Sequence, residues 1–203
     1  SISICCYMIT KKKIFCRLCK SKKLKKAIDL KKTPLANSFL PKKNFSKKEK
    51  FYPLKVNFCE NCNHIQLSHS VFAKSLFERY LYLTNTSKQN RDHFRDYAQK
   101  ISNRIKDNKE IKILDVASND GTFLNFFKNK KFYKLGVDPA RNLKKYAQKK
   151  GIKQLVLYFN NQTSKFIKSK YGLFDVITAN HVCAHVDDLR GFVEGVKNLL
   201  KTD

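Results

Sequence analysis

Arginine is scarce in this 203-residue chain for the charge it carries. Lys and Arg total 43 against 16 Asp and Glu, a net charge of +27, yet only 7 of the 43 are Arg. Base readout and bidentate phosphate contacts favour the planar guanidinium fork, which lysine lacks. The lysines lie in short clusters over the whole length, at 11–13, 22–26, 47–50, 128–134 and 144–150. With 17 Asn beside 36 Lys, this is the composition an AT-rich genome imposes through its codons. The lysines read as solvated surface with some attraction for an anionic substrate, and nucleic acid is disfavoured as a partner. A long apolar run is also missing: nothing approaches the roughly 20 residues that a membrane helix needs. The apolar start, Ser1–Ile9, has its charges after it and not before it, unlike a signal peptide. No membrane partner and a cytoplasmic location are expected, and the residues before Met8 read as an upstream extension of the reading frame.

What is present suffices for a packed core: 42% of residues are hydrophobic and 12% aromatic. Three regions separate. From 14 to 67 short apolar pieces are broken by Pro34, Pro41 and Pro53, with a cysteine pair near each end and little periodic core, so a metal is expected to tie the stretch together. From 71 to 108 a helical connector is predicted. Phe72, Leu76 and Tyr80, then Phe94, Tyr97, Ala98, Ile101 and Ile105, recur at intervals of three and four, and Ser87 is placed to cap the second helix. From 109 to 203 strands at 111–117, 134–138, 154–158 and 173–179 alternate with helices at 121–129, 140–149, 161–168 and 189–201. Such alternation predicts an α/β domain with a parallel sheet covered on both faces.

Four of the seven cysteines form two Cys-x-x-Cys pairs, Cys16/Cys19 and Cys59/Cys62. Two residues between thiolates let both sulfurs reach one ion, and two such knuckles complete the tetrahedron of a structural Zn²⁺ with no open position for water. A redox centre needs only one pair, and a disulfide framework suits an oxidising compartment. His64 reads as a surface or capping residue, and Cys183, in an apolar run, as a buried small hydrophobe.

The second site is built on Asp115. Ligands of open α/β sheets bind beyond the carboxyl ends of the strands, and the first βα turn comes nearest to them. Here that turn is Ala117-Ser118-Asn119-Asp120-Gly121, whose small residues admit a ligand but lack the glycine spacing of a dinucleotide fingerprint. Asp138, 23 residues after Asp115, ends the second strand and can accept hydrogen bonds from both hydroxyls of a ribose; the competing reading is that Asp138 and Pro139 cap the next helix. The fourth strand delivers Asn180, His181, Val182 and His185 to the same edge. Two histidines there are candidates for acid–base chemistry, His185 lining the site and His181 flanking a cofactor.

Together these residues resemble the zinc-containing C-methyltransferases of nucleotide-linked deoxysugars, within the class I S-adenosylmethionine-dependent methyltransferases. The resemblance rests on the cysteine pairs, on 33–39 (Thr-Pro-Leu-Ala-Asn-Ser-Phe), Pro53-Leu54 and 82–87 (Tyr-Leu-Thr-Asn-Thr-Ser), and on 115–121, 136–140 and 179–188. It implies a Rossmann-like sheet, here ending after its fourth strand, behind a small zinc domain. It implies that Asp115, Ser118, Asn119 and Gly121 hold the methionine part of S-adenosylmethionine, with Ala117 and Pro139 also at the cofactor. By the same resemblance Asp138 holds the ribose, Phe159 and Asn160 border the adenine, and Asn180, His181 and Val182 close the pocket. Tyr80, Tyr82 and His185 are the implied catalytic positions near the sugar. Ala117 stands where the family usually has glycine. Members continue into further strands and a sugar-binding domain that supplies the main base, so a separately encoded C-terminal half is an expected partner and the fourth strand an expected open edge. A zinc-ribbon nucleic-acid-binding protein and an inactive remnant are the competing readings.

Overall fold

The structure is a computed structural model that describes residues 10–36, 38–105 and 109–202. Cys5, Cys6 and Met8, Asn37 of the 33–39 motif and the expected helix end at Asn108 lie outside the described residues. The chain divides into two compact units, 1–76 and 77–203.

The first unit is β-rich. Its strands are β1 (Thr10–Lys12), β2 (Leu24–Thr33), β3 (Tyr52–Cys59), β4 (Ile65–Leu67) and β5 (His69–Val71). β2, β3 and β4 form an antiparallel sheet in that order, and β1 pairs with β5. The long β2–β3 pairing was hidden in the sequence. Lysines fall on both faces of β2, register shifts interrupt it between Lys26 and Ile28 and between Asp29 and Lys32, and Pro53 lies inside β3. Little of this unit is dry: among its described residues only Cys16, Cys59, Gln66 and Ser68 are buried.

The predicted helix through Phe72, Leu76 and Tyr80 is shorter than expected. α1 spans Ala73–Phe77, and Tyr80 lies beyond it because the Asn142 side chain takes both of its backbone groups. α2 (Lys88–Arg104) forms as predicted, and its first turn is capped by Ser87 Oγ, which accepts the Asn90 N–H.

The second unit is a four-stranded parallel sheet. Its elements in chain order are β6 (Ile111–Val116), α3 (Thr122–Asn125), β7 (Phe132–Val137), α4 (Lys144–Lys149), β8 (Lys153–Leu155), α5 (Asn161–Tyr171), β9 (Val176–Thr178) and α6 (Leu189–Leu199). The strand order is β8-β7-β6-β9, so the direction of winding reverses between β6 and β9. Period-two alternation splits the apolar side chains between two cores. Ile111 and Ile113 of β6 and Phe132 of β7 pack with Phe94 and Ala98 of α2, Phe123 and Leu124 of α3 and Ala147 of α4. Leu114, Val116, Leu135 and Val137 pack on the opposite face with Ile167 of α5 and Phe192 and Leu199 of α6. No helix among the described residues is long and apolar enough to cross a membrane.

The fourth strand is shorter and less open than expected. β9 pairs with β6 only at 113–115, and its approach is covered at Phe174, which exchanges backbone hydrogen bonds with Leu199 and Lys201. Two helix starts are closed by side chains. Asn160 and Thr163 form a reciprocal capping box on α5, and Asp188 Oδ1 accepts the Gly191 N–H on α6.

One glycine in the sheet is required by close packing. A Cβ on Gly136 of β7 would lie 2.4 Å from Ser118 Oγ and 2.9 Å from its Cβ. Replacing Gly136 with Ala should therefore lower the unfolding free energy by about 1–3 kcal/mol. Urea denaturation of the variant beside the parent chain measures this, and an unchanged midpoint would contradict the packing.

Candidate functional site

The two cysteine knuckles fold alike. In the first, Lys20 N–H donates to Cys16 O at 3.0 Å and Cys16 N–H to Ser21 O at 2.8 Å. In the second, Asn63 N–H donates to Cys59 O at 2.8 Å and Cys59 N–H to His64 O at 2.9 Å. Lys20 and Asn63, each four residues after a first cysteine, turn the chain with left-handed φ values of 64° and 61°. The result is convergence: all four Sγ atoms lie within 4.8 Å of one another, with Cys16–Cys62 and Cys19–Cys59 each at 3.6 Å. A tetrahedron with Zn–S bonds of about 2.3 Å has S···S edges of about 3.8 Å, so the site fits zinc. Arg17 stands inside the first knuckle with Nε and one Nη buried and unpartnered, a cation suited to the net negative charge of a tetrathiolate centre. His64 is not part of the sulfur cluster. Gln66 was missed by sequence reasoning. Buried in β4, it accepts the Arg17 N–H at 2.7 Å and donates to Phe15 O at 3.1 Å, fastening the first knuckle to the sheet.

At the carboxyl end of the second sheet two carboxylates stand at the ends of adjacent strands. Asp115 of β6 is almost fully buried and accepts a hydrogen bond from Thr178 Oγ1 of β9 at 2.8 Å. Burial, opposed by the Thr178 hydroxyl and reinforced by the charge of Asp138, pushes its pKa up to about 7. Asp138, just beyond β7, is also raised by burial, against two backbone amides that favour its charge. Those amides are Asn119 N–H to Oδ2 at 2.9 Å and Ala140 N–H to Oδ1 at 2.8 Å.

The turn between them has unusual backbone. Ala117, Asn119 and Gly121 have φ of 56°, 51° and 73°. Glycine adopts this region freely and asparagine tolerates it, but alanine does not, so Ala117 sits in a conformation that favours the glycine usual at this position in the family it resembles. Ser118 Oγ points beneath the turn and accepts from Gln154 Nε2 at 2.9 Å, and the same Nε2 donates to Asn119 O at 2.7 Å. Gln154 of β8 is a second support that the sequence did not signal. Asp120 is buried, pairs with Lys150 Nζ at 3.2 Å and accepts the Thr122 N–H at 3.1 Å.

A cleft of about 340 Å³ is lined by Glu78, Pro139, Arg141, Leu157, Tyr158 and Asn160 among others. Asn160 reaches it while its side chain caps α5. Phe159 instead stacks edge-on against Phe192, ring centroids 5.5 Å apart, as part of the apolar layer. Asn180 to Val182 follow β9 at the same sheet edge. Asn180 Nδ2 is buried there without a partner, as is Thr122 Oγ1 at the start of α3. These are unspent polar groups on both sides of the crevice where winding reverses, and with the two carboxylates they fit a polar, hydroxyl-bearing ligand such as a nucleoside. His181 is exposed with φ 56°, and His185 is exposed in a short 3₁₀ turn. Cys183, expected to be buried, is exposed in that same turn, because the chain leaves the sheet at Thr178. Tyr82 accepts a hydrogen bond from Asn90 Nδ2. Among the described residues neither Tyr80 nor Tyr82 makes a hydrogen bond or ring contact with His185.

The doubly covered parallel sheet is that of a class I methyltransferase fold, and a cysteine-rich zinc module precedes it in the sequence. Residues 16–77 match the family model of a zinc binding domain, and residues 88–203 match that of a methyltransferase domain. The chain belongs to this methyltransferase domain family, whose members use S-adenosylmethionine. C-methyltransferase NovU of Streptomyces niveus is 27% identical over 188 residues, 93% of this chain and 45% of the relative. This chain thus spans a little under half the length of that protein. Similar solved structures include the YcgJ protein of Bacillus subtilis, 20% identical with a TM-score of 0.40 over 55% of this chain and 47% of that one. Another is an S-adenosylmethionine-dependent methyltransferase from Geobacter sulfurreducens in complex with S-adenosyl-L-homocysteine, 14% identical with a TM-score of 0.37 over 53% and 44% of the two chains.

Two expectations follow from the site. Because the first unit has almost no dry core, removing zinc with a strong chelator should unfold it while the second unit stays folded. Metal analysis should give one zinc per chain, and hydrogen exchange should show loss of protection confined to 10–76; a protected, zinc-free first unit would contradict this. The second concerns Asp115. Its folded pKa is raised from 3.8 to about 7, so the native state holds a proton that the unfolded chain has released. Its contribution to stability is complete below about pH 4 and is lost as pH rises through about 7. Asp115→Asn should therefore flatten the pH dependence of unfolding between those limits, and an identical profile would refute the buried protonated carboxyl.

Proposed function

We propose that this chain is the zinc- and cofactor-binding part of an S-adenosylmethionine-dependent C-methyltransferase that acts on a nucleotide-linked keto-deoxysugar. The observation that carries this reading is the likeness to a C-methyltransferase running through both units, over 93% of the chain. The geometry supports it. Pro139 and Asn160 line the cleft, where we place the adenine, and the carboxylate of Asp138, the residue before Pro139, keeps lone pairs that can accept from ribose hydroxyls. Asp115, Ala117, Ser118, Asn119 and Gly121 form the floor for the methionine part. Asn180, His181 and Val182 close its far side.

The methyl donor supplies an electrophilic methyl group on a sulfonium. On the sugar, the carbon next to the keto group would give a proton to a base, and its enolate would take that methyl as the sulfonium C–S bond breaks and S-adenosylhomocysteine leaves. Tyr80, Tyr82 and His185 are placed at the sugar side, where they orient the carbon and hydrogen-bond the developing oxyanion. The resemblance assigns the main base to a further C-terminal part, which we propose as a partner. Asp115 has a further part: kept protonated by burial and by Asp138, it gives up its proton as a cationic ammonium group arrives.

Calorimetric titration of S-adenosyl-L-homocysteine into the zinc-loaded chain tests the cofactor site. Binding on the order of 1–100 μM is expected. Asp138→Asn should weaken it by roughly tenfold or more, the loss of charged hydrogen bonds worth about 1.5–3 kcal/mol. A folded, zinc-loaded chain that does not bind would sink the reading. Salt-sensitive binding of nucleic acid by that same chain would favour a zinc-ribbon module instead.

A further inference from the structure

The segment between α1 and α2 has no sheet ladder of its own. From Glu78 to Asn85 it is held by groups that follow β6 and β7. Arg141 N–H donates to Glu78 O at 3.2 Å. Asn142 pairs with Tyr80 as a second peptide would: its Oδ1 accepts the Tyr80 N–H at 3.0 Å and its Nδ2 donates to Tyr80 O at 2.7 Å. Asn119 does the same one turn along, its Nδ2 donating to Tyr82 O at 3.1 Å and its Oδ1 accepting the Thr84 N–H at 3.0 Å. Asp120 Oδ2 accepts the Asn85 N–H at 3.3 Å. Apolar burial adds little, for Leu81 and Tyr82 are 53% and 41% exposed. Asp138 joins the two turns that carry these asparagines. Its Oδ2 accepts the N–H of Asn119, and its Oδ1 accepts that of Ala140, two residues before Asn142.

We infer that Asn119 and Asn142 are positioning residues that fix 78–85 as a strap across the carboxyl ends of β6 and β7, and that this strap sets how long a cofactor held at Asp138 stays bound. The inference rests on the cofactor reading given above. It also changes the role of Asn119: its side-chain amide is spent on the strap, not on a ligand. Ties made by isolated side-chain bonds open without disturbing the sheet, so the strap belongs to the least stable part of the second unit. A displacement of Asp138 reaches Tyr82 through Asn119 and Tyr80 through the turn from Ala140 to Asn142, which links the cofactor side of the proposed site to its sugar side.

Hydrogen exchange on the zinc-loaded full chain, with stopped-flow binding of S-adenosyl-L-homocysteine, tests this. Asn142→Ala should speed exchange across 78–85 about tenfold, the effect of one or two net hydrogen bonds, while zinc content and exchange in α2 and β6 stay unchanged. Dissociation of S-adenosyl-L-homocysteine should quicken by a similar factor without a slower association. Asn142→Asp keeps the acceptor for Tyr80 N–H and should fall between the two. If Asn142→Ala does not fold, Asn119→Gly serves, since glycine keeps the left-handed backbone and the N–H to Asp138. Unchanged exchange at 78–85 overturns the strap; faster exchange with unchanged dissociation overturns its link to the cofactor. A wild-type chain that binds no S-adenosyl-L-homocysteine removes the cofactor reading and that link together, while the exchange comparison still decides the strap.

Discussion

The second unit is organised around one buried carboxylate. Asp138 directly follows β7, and its two oxygens hold the turn after β6 and the turn after β7 at once, through the amides of Asn119 and Ala140. Charged hydrogen bonds of this kind are stronger than neutral ones, and in a dry setting breaking one leaves an unsatisfied charge. Much of the local sequence serves this arrangement. Gly136 leaves room for Ser118, Gln154 fastens Ser118 and Asn119 from the next strand, and Asn119 accepts a left-handed backbone that lets its N–H face Asp138. A second carboxylate, Asp115, is buried nearby and remains neutral to about pH 7 partly because Asp138 is charged. This pair of buried acids is electrostatically unsettled, an arrangement that suits a cationic group near one and hydroxyls near the other.

The first unit solves a different problem. A β-hairpin with lysines on both faces and almost nothing dry beneath it cannot offset the conformational entropy of folding by apolar burial alone. Two matching knuckles bring four sulfurs to one point, and a bound ion would then act as the core the unit lacks. Gln66 shows how sheet and knuckle are joined, since one amide side chain bonds to both flanks of Cys16.

What could be read from the sequence depended on how local the cause was. Cys16, Cys19, Cys59 and Cys62 carry their spacing in the chain, and the parallel strands at β6 and β7 carry near-continuous apolar runs, so both were legible. So was Ser87, because a cap acts within three residues. The β2–β3 pairing was not, since lysines and Pro53 mask its alternation. The extended run through Tyr80 was also hidden: its periodicity was helical, but its backbone bonds go to an asparagine 62 residues away. Gln66 and Gln154 likewise act only through partners distant in sequence, and no spacing rule announces them.

Ala117 shows how the turn after β6 holds a strained residue. Its φ of 56° costs an alanine about 1–2 kcal/mol that a glycine would not incur. His181, at the opposite rim of the same sheet edge, carries the same kind of strain at φ 56°. Left-handed non-glycine residues persist only where their surroundings over-determine them. At Ala117 those surroundings are Ser118 wedged against Gly136 and Asn119 tied to Asp138, so the carboxylate that organises the turn also holds its strained residue in place. A chain that released Asp138 would relax Ala117 and free Asn119 in one step. Turn geometry, the 78–85 segment and the Asp138 carboxylate are therefore a single mechanical unit, and a substitution at any one of them is felt at the other two.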